Sequence, residues 1–439
     1  MTAHFMGIDV GTGSARAGVF DAAGRLLGTG KRDITLYRSP GSIVEQSSNE
    51  IWQAVSAASR QATAAAGVDP STIGGVGFDA TCSLVVTGRD GASLAVGPDN
   101  DPRRDIIVWM DHRAIEQAER INRTNHPVLQ YVGGRISPEM ETPKLLWLKE
   151  NLPEAFNAAW QFFDLTDYLT WRATGSLARS ICTLTCKWTY LGHERRWDES
   201  YFREIGLAEL ADEGFDRIGT EVVDPGTPLG DGLSGQSAED LGLLPGTPVA
   251  AGLIDAHAGG VGTVGAEGRV QDNLAYVFGT SSCTMTTTSQ PVKVPGVWGP
   301  YYSAMVPGAW LNEGGQSAAG AAIDHLISFH PAAPDARQRA QAAGQSLPEW
   351  LACRAAEARQ AVGDAAYLAG PISVVPEFLG NRAPHANPHT GAVVAGLDMT
   401  ADIDSLVSLY IAGICGLGYG LRQIIEAQAN CGAPVKTIV

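Results

Sequence analysis

MGIDVGTGSARAGVFD, from Met6 to Asp21, is the stretch from which the fold of this chain can be read. Apolar residues run up to Val10, meet a Gly-Thr-Gly-Ser tip, resume at Ala15 and stop at Asp21. Two short apolar runs around a glycine turn predict antiparallel strands joined by a tight hairpin, and a third run near 25–30 extends them into a meander. The tip is not a P-loop, because GxxxxGK[ST] is absent and a strand, not a helix, follows it. It still offers main-chain N–H groups and hydroxyls, with glycines that let a ligand approach the backbone. Taken alone, such a tip reads as a plain tight turn.

The second half of the chain carries the same design. AYVFGTSSCTMTTT (275–288) is again an apolar strand, a Gly-Thr-Ser-Ser tip and a β-branched strand. Two hairpin tips closing from opposite sides could hold a polyphosphate. Strands and helices alternate between them. Asn49 is expected to cap a helix that ends at Gly67, with Asp111 capping HRAIEQAERIN and Pro143 in the first turn of PKLLWLKEN. STIGGVGFDATC and IIVWM (106–110) read as strands. The Pro/Gly-rich segment 224–248 is the expected connection between halves, giving domains over 1–250 and 251–439.

Composition narrows the function. The 439 residues are 44% hydrophobic and 18% charged, enough for a large core. A net charge of −16 argues against unspecific binding to nucleic acid or anionic membrane. Seven cysteines without a CxxC pair, behind a start that lacks a secretory pattern, fit reduced thiols in a cytoplasmic protein. The uncharged run 405–421, SLVSLYIAGICGLGYGL, has four glycines and polar breaks. It is expected to be a buried, closely packed helix and not a membrane span.

At this point the motifs carry a resemblance. GIDVGTGSARAGVFD, GLIDAHAGGVG, FGTSSCTM, LNEGGQSAAGAAID and FLGNRAPHANPHTG resemble, in order, the motifs of the FGGY carbohydrate kinases. Within that family, GFDATCSLVV, WMDHRA, PKLLWLKEN, CKWTYLG and VWGPYYSAMVPGAWLNEGGQS are most similar to the D-ribulokinase branch. The resemblance implies an α/β protein of two ribonuclease H-like, actin-like ATPase domains with a cleft between them. It implies ATP and Mg²⁺ as cofactors and a small sugar as the partner. A homodimer is left open.

Site residues follow from the same resemblance. Asp255 matches the general base that accepts a proton from the attacking sugar hydroxyl. Lys187, Asp255 and Glu313, with a main-chain contact near Cys82, match the groups that hold an open-chain ketose. An uncharged polyol is well recognised by such charge-assisted hydrogen bonds. Gly11, Thr12, Gly13, Ser14 and Arg16 would surround the β- and γ-phosphates, approached also by Gly279, Thr280 and Ser281. Asp9 matches the carboxylate that holds Mg²⁺ through water, and Gly320 and Asp324 match the nucleotide pocket. His257 reads as a core or supporting residue. Asp111 and Arg113 are open between helix capping and a sugar-side role. Lys187 could instead snorkel to the surface, and Glu313 could cap a helix at Gly314.

In the family a glycine loop that receives adenosine and closing helices follow the segment CGAPVKTIV, so the second domain is expected to be truncated. The expected function is ATP-dependent phosphorylation of a ketopentose, D-ribulose above L-ribulose, xylulose or another polyol. A non-catalytic sugar-binding protein is the alternative from another class. An actin- or chaperone-like ATPase would share the hairpins but has no use for Lys187, Asp255 and Glu313 together.

Overall fold

A computed structural model describes residues 3–265, 269–359, 362–387 and 389–439. The opening stretch forms strands β1 (His4–Val10) and β2 (Ser14–Asp21), continued by β3 (Leu26–Asp33) as an antiparallel meander. Met6, Ile8 and Val10 alternate with less buried residues along β1, and Ala15, Ala17 and Val19 do so along β2. That period of two turns one face of the sheet into the core. Helix α1 (Ser48–Ala66) lies on this face. It can lie so close because β3 offers glycines: a Cβ at Gly30 would stand 2.1 Å from the Ala58 carbonyl oxygen.

The cap of α1 differs from expectation. Ser47, not Asn49, accepts the Glu50 N–H, while the backbone and hydroxyl of Ser48 both donate to Asp105. Asp105 thereby fixes the helix start two residues earlier. Gly67 ends α1 in the left-handed conformation, as a C-terminal glycine should.

Strand β4 (Ile73–Ala80) runs parallel to β1, and β5 (Leu253–Ile254) runs parallel to β4, so the sheet order is β5-β4-β1-β2-β3. Three parallel strands therefore end side by side, at Val10, Ala80 and Ile254. A second five-stranded sheet of the same unit has Leu84–Thr87 between Ile106–Ile107 and Gln161–Asp164. Helix α2 (Ile181–Lys187) is capped by Ser180, and α3 (Asp255–Val264) starts directly from β5.

This unit runs to Gly262 and also takes Thr288–Pro291 and Gly299–Leu311. Segment 224–248 is no connection between halves. Its Leu233, Ala238, Leu241 and Leu243 are buried in the same core as β1, β2 and α1. The glycines and prolines shape turns around a short helix, Gly235–Leu241, that docks inside the unit.

The second unit holds β6 (Asn273–Phe278), β7 (Ser282–Thr288), β8 (Trp310–Gln316) from Asn312 onward, α4 (Gly320–Ser328), α5 (Ile403–Asn430) and β9 (Thr437–Ile438). Strand order is β8-β7-β6-β9, with β6 and β7 antiparallel and β9 parallel to β6. Helix α5 is long and apolar enough to cross a membrane, yet its Leu406, Leu409, Tyr410 and Leu417 belong to this unit's core. Its glycines give close packing: a Cβ at Gly416 would meet the Val374 carbonyl oxygen at 2.3 Å.

Candidate active site

The ends of the three parallel strands collect carboxylates. Asp9 lies opposite Asp79 in the β1–β4 register, and Leu253, two residues before Asp255, lies opposite Asp79 in the β4–β5 register. Ligands of open α/β sheets bind at such carboxyl ends. Burial raises the Asp79 carboxyl to about 8, and the negative charges of Asp9 and Asp255 push in the same direction. Asp255 is raised to about 6 by burial; its bond from the Ala256 N–H opposes this, at 2.8 Å, while Asp9 reinforces it. His257 and Lys187 pull it back down. The site thus holds a carboxyl that keeps its proton near neutrality beside one that gives it up below pH 7.

Asp79 was missed by sequence reading, which took Cys82 from the same motif. A signal did exist. GIDVG and GFDAT both place an aspartate just before the end of an apolar strand, and the sheet sets the two next to each other.

The first hairpin tip is anchored by side chains. Trp109 Nε1 donates to the Thr12 hydroxyl at 3.0 Å, and Gln46 donates to the Thr12 carbonyl at 2.8 Å. The Ile34 N–H donates to the Gly13 carbonyl, and the Gly11 N–H to the Ser14 carbonyl. Arg16 reaches Asp9 at 3.4 Å and lies over Gly11, where a Cβ would meet its guanidinium at 3.1 Å. On its other side the tip is open: a Cβ at Gly13 would meet nothing within 4 Å. The hydrogen bond from Trp109 holds Thr12 in one orientation, a contact that the sequence reading also missed.

Lys187 ends α2 and is only 4% exposed, so it does not snorkel to the surface. Cys82 is buried, which pushes its thiol up to about 12. The nearby pair Glu141 and Lys144 is fully buried, 3.3 Å apart, and Glu141 is raised to about 7 by burial despite that lysine. His257 is fully buried, its Nδ1 3.2 Å from the Cys182 sulfur.

Asp111 caps no helix; the following helix begins at Ile115. Its buried carboxylate accepts from the Val44 and Arg113 N–H groups and pairs with the Arg113 guanidinium at 2.7 Å. Arg113 also reaches Glu45 at 2.9 Å. This buried ion cluster ties the strand Ile43–Gln46 to the loop that carries Asp111 and Arg113.

In the second unit, Glu313 lies within β8 at 5% exposure, well before the helix that starts at Gly320, so it is no cap. The tip Gly279–Ser281 rests on the start of α4. The Gly320 N–H donates to the Gly279 carbonyl at 2.9 Å, and the Ala319 and Ala321 N–H groups to that of Thr280. Only glycine fits at 320, since a Cβ would stand 2.7 Å from the Gly279 oxygen. Asp324 is exposed on α4, one turn on.

Comparison with known proteins places the chain in a family. Residues 4–262 match the N-terminal domain and residues 274–439 the C-terminal domain of the FGGY family of carbohydrate kinases. An FGGY carbohydrate kinase domain-containing protein of Homo sapiens is 46% identical, over 99% of this chain and 80% of its own length. A D-ribulokinase of Saccharomyces cerevisiae is 38% identical, over 99% of this chain and 65% of its own. The gluconate kinase of Lactobacillus acidophilus superposes with a TM-score of 0.78 at 18% identity, over 100% of this chain and 81% of that one. At such low identity the likeness speaks for the fold, which is that of the two-domain, actin-like sugar kinases. With both domains matched in order, the chain belongs to the FGGY family of carbohydrate kinases, enzymes that use ATP to phosphorylate small sugars.

Proposed function

We propose that the protein phosphorylates a ketopentose, D-ribulose before L-ribulose or xylulose, with Asp255 as general base. The observation that carries this reading is the position of Asp255 at the head of α3, with a carboxyl near 6 and a buried lysine acting on it. A base of that strength is ionised at neutral pH and can take the proton as the sugar oxygen attacks phosphorus. Phosphoryl transfer through a loose transition state asks mainly for positioning and charge neutralisation, which suits a carboxylate that feels the positive charge of a buried lysine. Lys187, Glu313 and the main chain near Cys82 would hold the sugar. The D-ribulokinase likeness supports the choice of pentulose.

The open first tip, Gly11–Ser14 with Arg16, and the tip Gly279–Ser281 would receive phosphate oxygens, with Gly320 and Asp324 on the nucleotide side. Among the described residues no three His, Cys, Asp or Glu side chains are grouped to enclose a metal. Asp9, with a side chain 35% exposed, suits Mg²⁺, which prefers one or two carboxylates, water and substrate phosphates to a protein cage. When bound there, the ion would neutralise charge on the phosphates. The test is ADP release across a panel of sugars. D-Ribulose should give the highest kcat/KM; a clear preference for glycerol or an aldohexose overturns the assignment.

A further inference from the structure

The strand that delivers Asp255 is fastened at three consecutive residues. The Ser180 hydroxyl donates to the Gly252 carbonyl at 2.7 Å, and the Thr166 hydroxyl to that of Leu253 at 3.0 Å. The Ile254 N–H donates to the Cys182 sulfur at 3.4 Å. The space is tight as well: a Cβ at Gly252 would stand 2.3 Å from the Phe78 carbonyl oxygen. Ser180 and Cys182 belong to the start of α2, whose other end is Lys187. One residue past Asp255 is Ala256, and next comes His257, whose Nδ1 meets the same Cys182 sulfur at 3.2 Å.

Cys182 therefore bonds the chain on both sides of Asp255, from the helix that carries Lys187. Both Cys182 and His257 are fully buried. The sulfur thus receives a backbone N–H on one side of Asp255 and meets the imidazole on the other. Burial alone would raise this thiol, but Cys186, His257 and Ile254 bring it down to about 5.

We propose that Cys182 and His257 are positioning residues, a sulfur–imidazole link that sets Asp255 relative to Lys187 for ketose phosphorylation. The proposal rests on the assignment of Asp255 as base. It follows because a rigid link across the base is where small displacements cost most: a misplacement of about 1 Å can lower turnover about 10²-fold. Serine at 182 has a shorter bond to its heteroatom and cannot reach both Ile254 and His257 equally well. Asparagine at 257 can put its amide where Nδ1 stands, whereas leucine cannot.

The experiment is steady-state kinetics of the 439-residue chain and its Cys182→Ser, His257→Leu, His257→Asn and Asp255→Asn variants, alongside ketose titration. Cys182→Ser and His257→Leu should lower kcat about 10- to 100-fold and raise the ketose KM, with the ATP KM within about twofold. His257→Asn should recover turnover to within about threefold of the parent. A packing role would move the melting temperature without this split or this rescue. Parent-like kinetics in both Cys182→Ser and His257→Leu overturn the proposal while a dead Asp255→Asn leaves the base assignment standing. Turnover that survives Asp255→Asn overturns both, since no base is left to position. Should His257→Leu fail to fold, Cys182→Ser against the parent decides alone.

Discussion

The two Gly-Thr hairpins look alike in sequence and are held in different ways. Both lead into another strand, but the tip of the first, Gly11–Ser14, is braced from the side by Trp109 and Gln46. The second, Gly279–Ser281, is braced from below by the start of α4, where three successive N–H groups converge on two carbonyls. They differ in charge too. Asp9 stands two residues before the first tip and lies opposite Asp79, whereas Val277 holds the matching place before the second. A local motif thus sets the shape of a turn, and the elements around it decide what chemistry the turn can serve. Acid–base and metal chemistry are proposed for the first unit, and backbone recognition alone for the second tip.

The largest expected effect tests that division. Asp255→Asn should lower kcat by at least about 10²-fold, typical of a positioned proton acceptor, while ketose binding measured by titration persists. Near-normal turnover would remove the acid–base role from the first unit.

Next come the tips themselves. Gly320→Ala forces a Cβ to within 2.7 Å of the Gly279 oxygen, so the second hairpin must shift. The expected result is a lower melting temperature and an ATP KM raised about tenfold, the worth of one backbone hydrogen bond. Gly13→Ala has no neighbour to strike. Its melting temperature should stay unchanged, and only ATP affinity should fall. Equal effects of both substitutions on stability would erase the contrast between a tip braced from below and one open to a ligand.

Acidity gives a third test. With Asp255 as the proposed base and its carboxyl raised to about 6, the ionised form dominates above pH 7 and is lost as pH falls through 6. The profile of kcat/KM for the ketose should bend near 6 and then fall about tenfold per pH unit. Magnesium held at Asp9 should move the bend downward. A bend above pH 7 would point to another base.

The smallest effect is expected from Trp109→Phe, which removes the hydrogen bond to Thr12 and keeps most of the ring. Stability should fall by about 1 kcal/mol, read as a modest drop in melting temperature with a small rise in the ATP KM. No change in either would show that the side brace of the first tip is dispensable.

What the sequence determined alone was local. Both hairpins, the meander, the left-handed end of α1 at Gly67 and the buried helix α5 follow from periodicity and turn chemistry, which act over a few residues. The ordered motifs carried the family and the candidate positions. Tertiary structure decided the rest, because it depends on which distant groups meet. Asp105 fixed the cap at Ser47, where the run Ser47-Ser48-Asn49 offered three similar choices. Arg113 and the Val44 N–H claimed Asp111, which local sequence would have placed on a helix end. Burial of Leu233 and Leu241 turned a Pro/Gly-rich stretch from a connector into part of a core. Above all, strand register put Asp79 beside Asp9, and folding brought Cys182 to His257 across Asp255. Those neighbours lie far apart along the chain, and no rule of local spacing could have joined them.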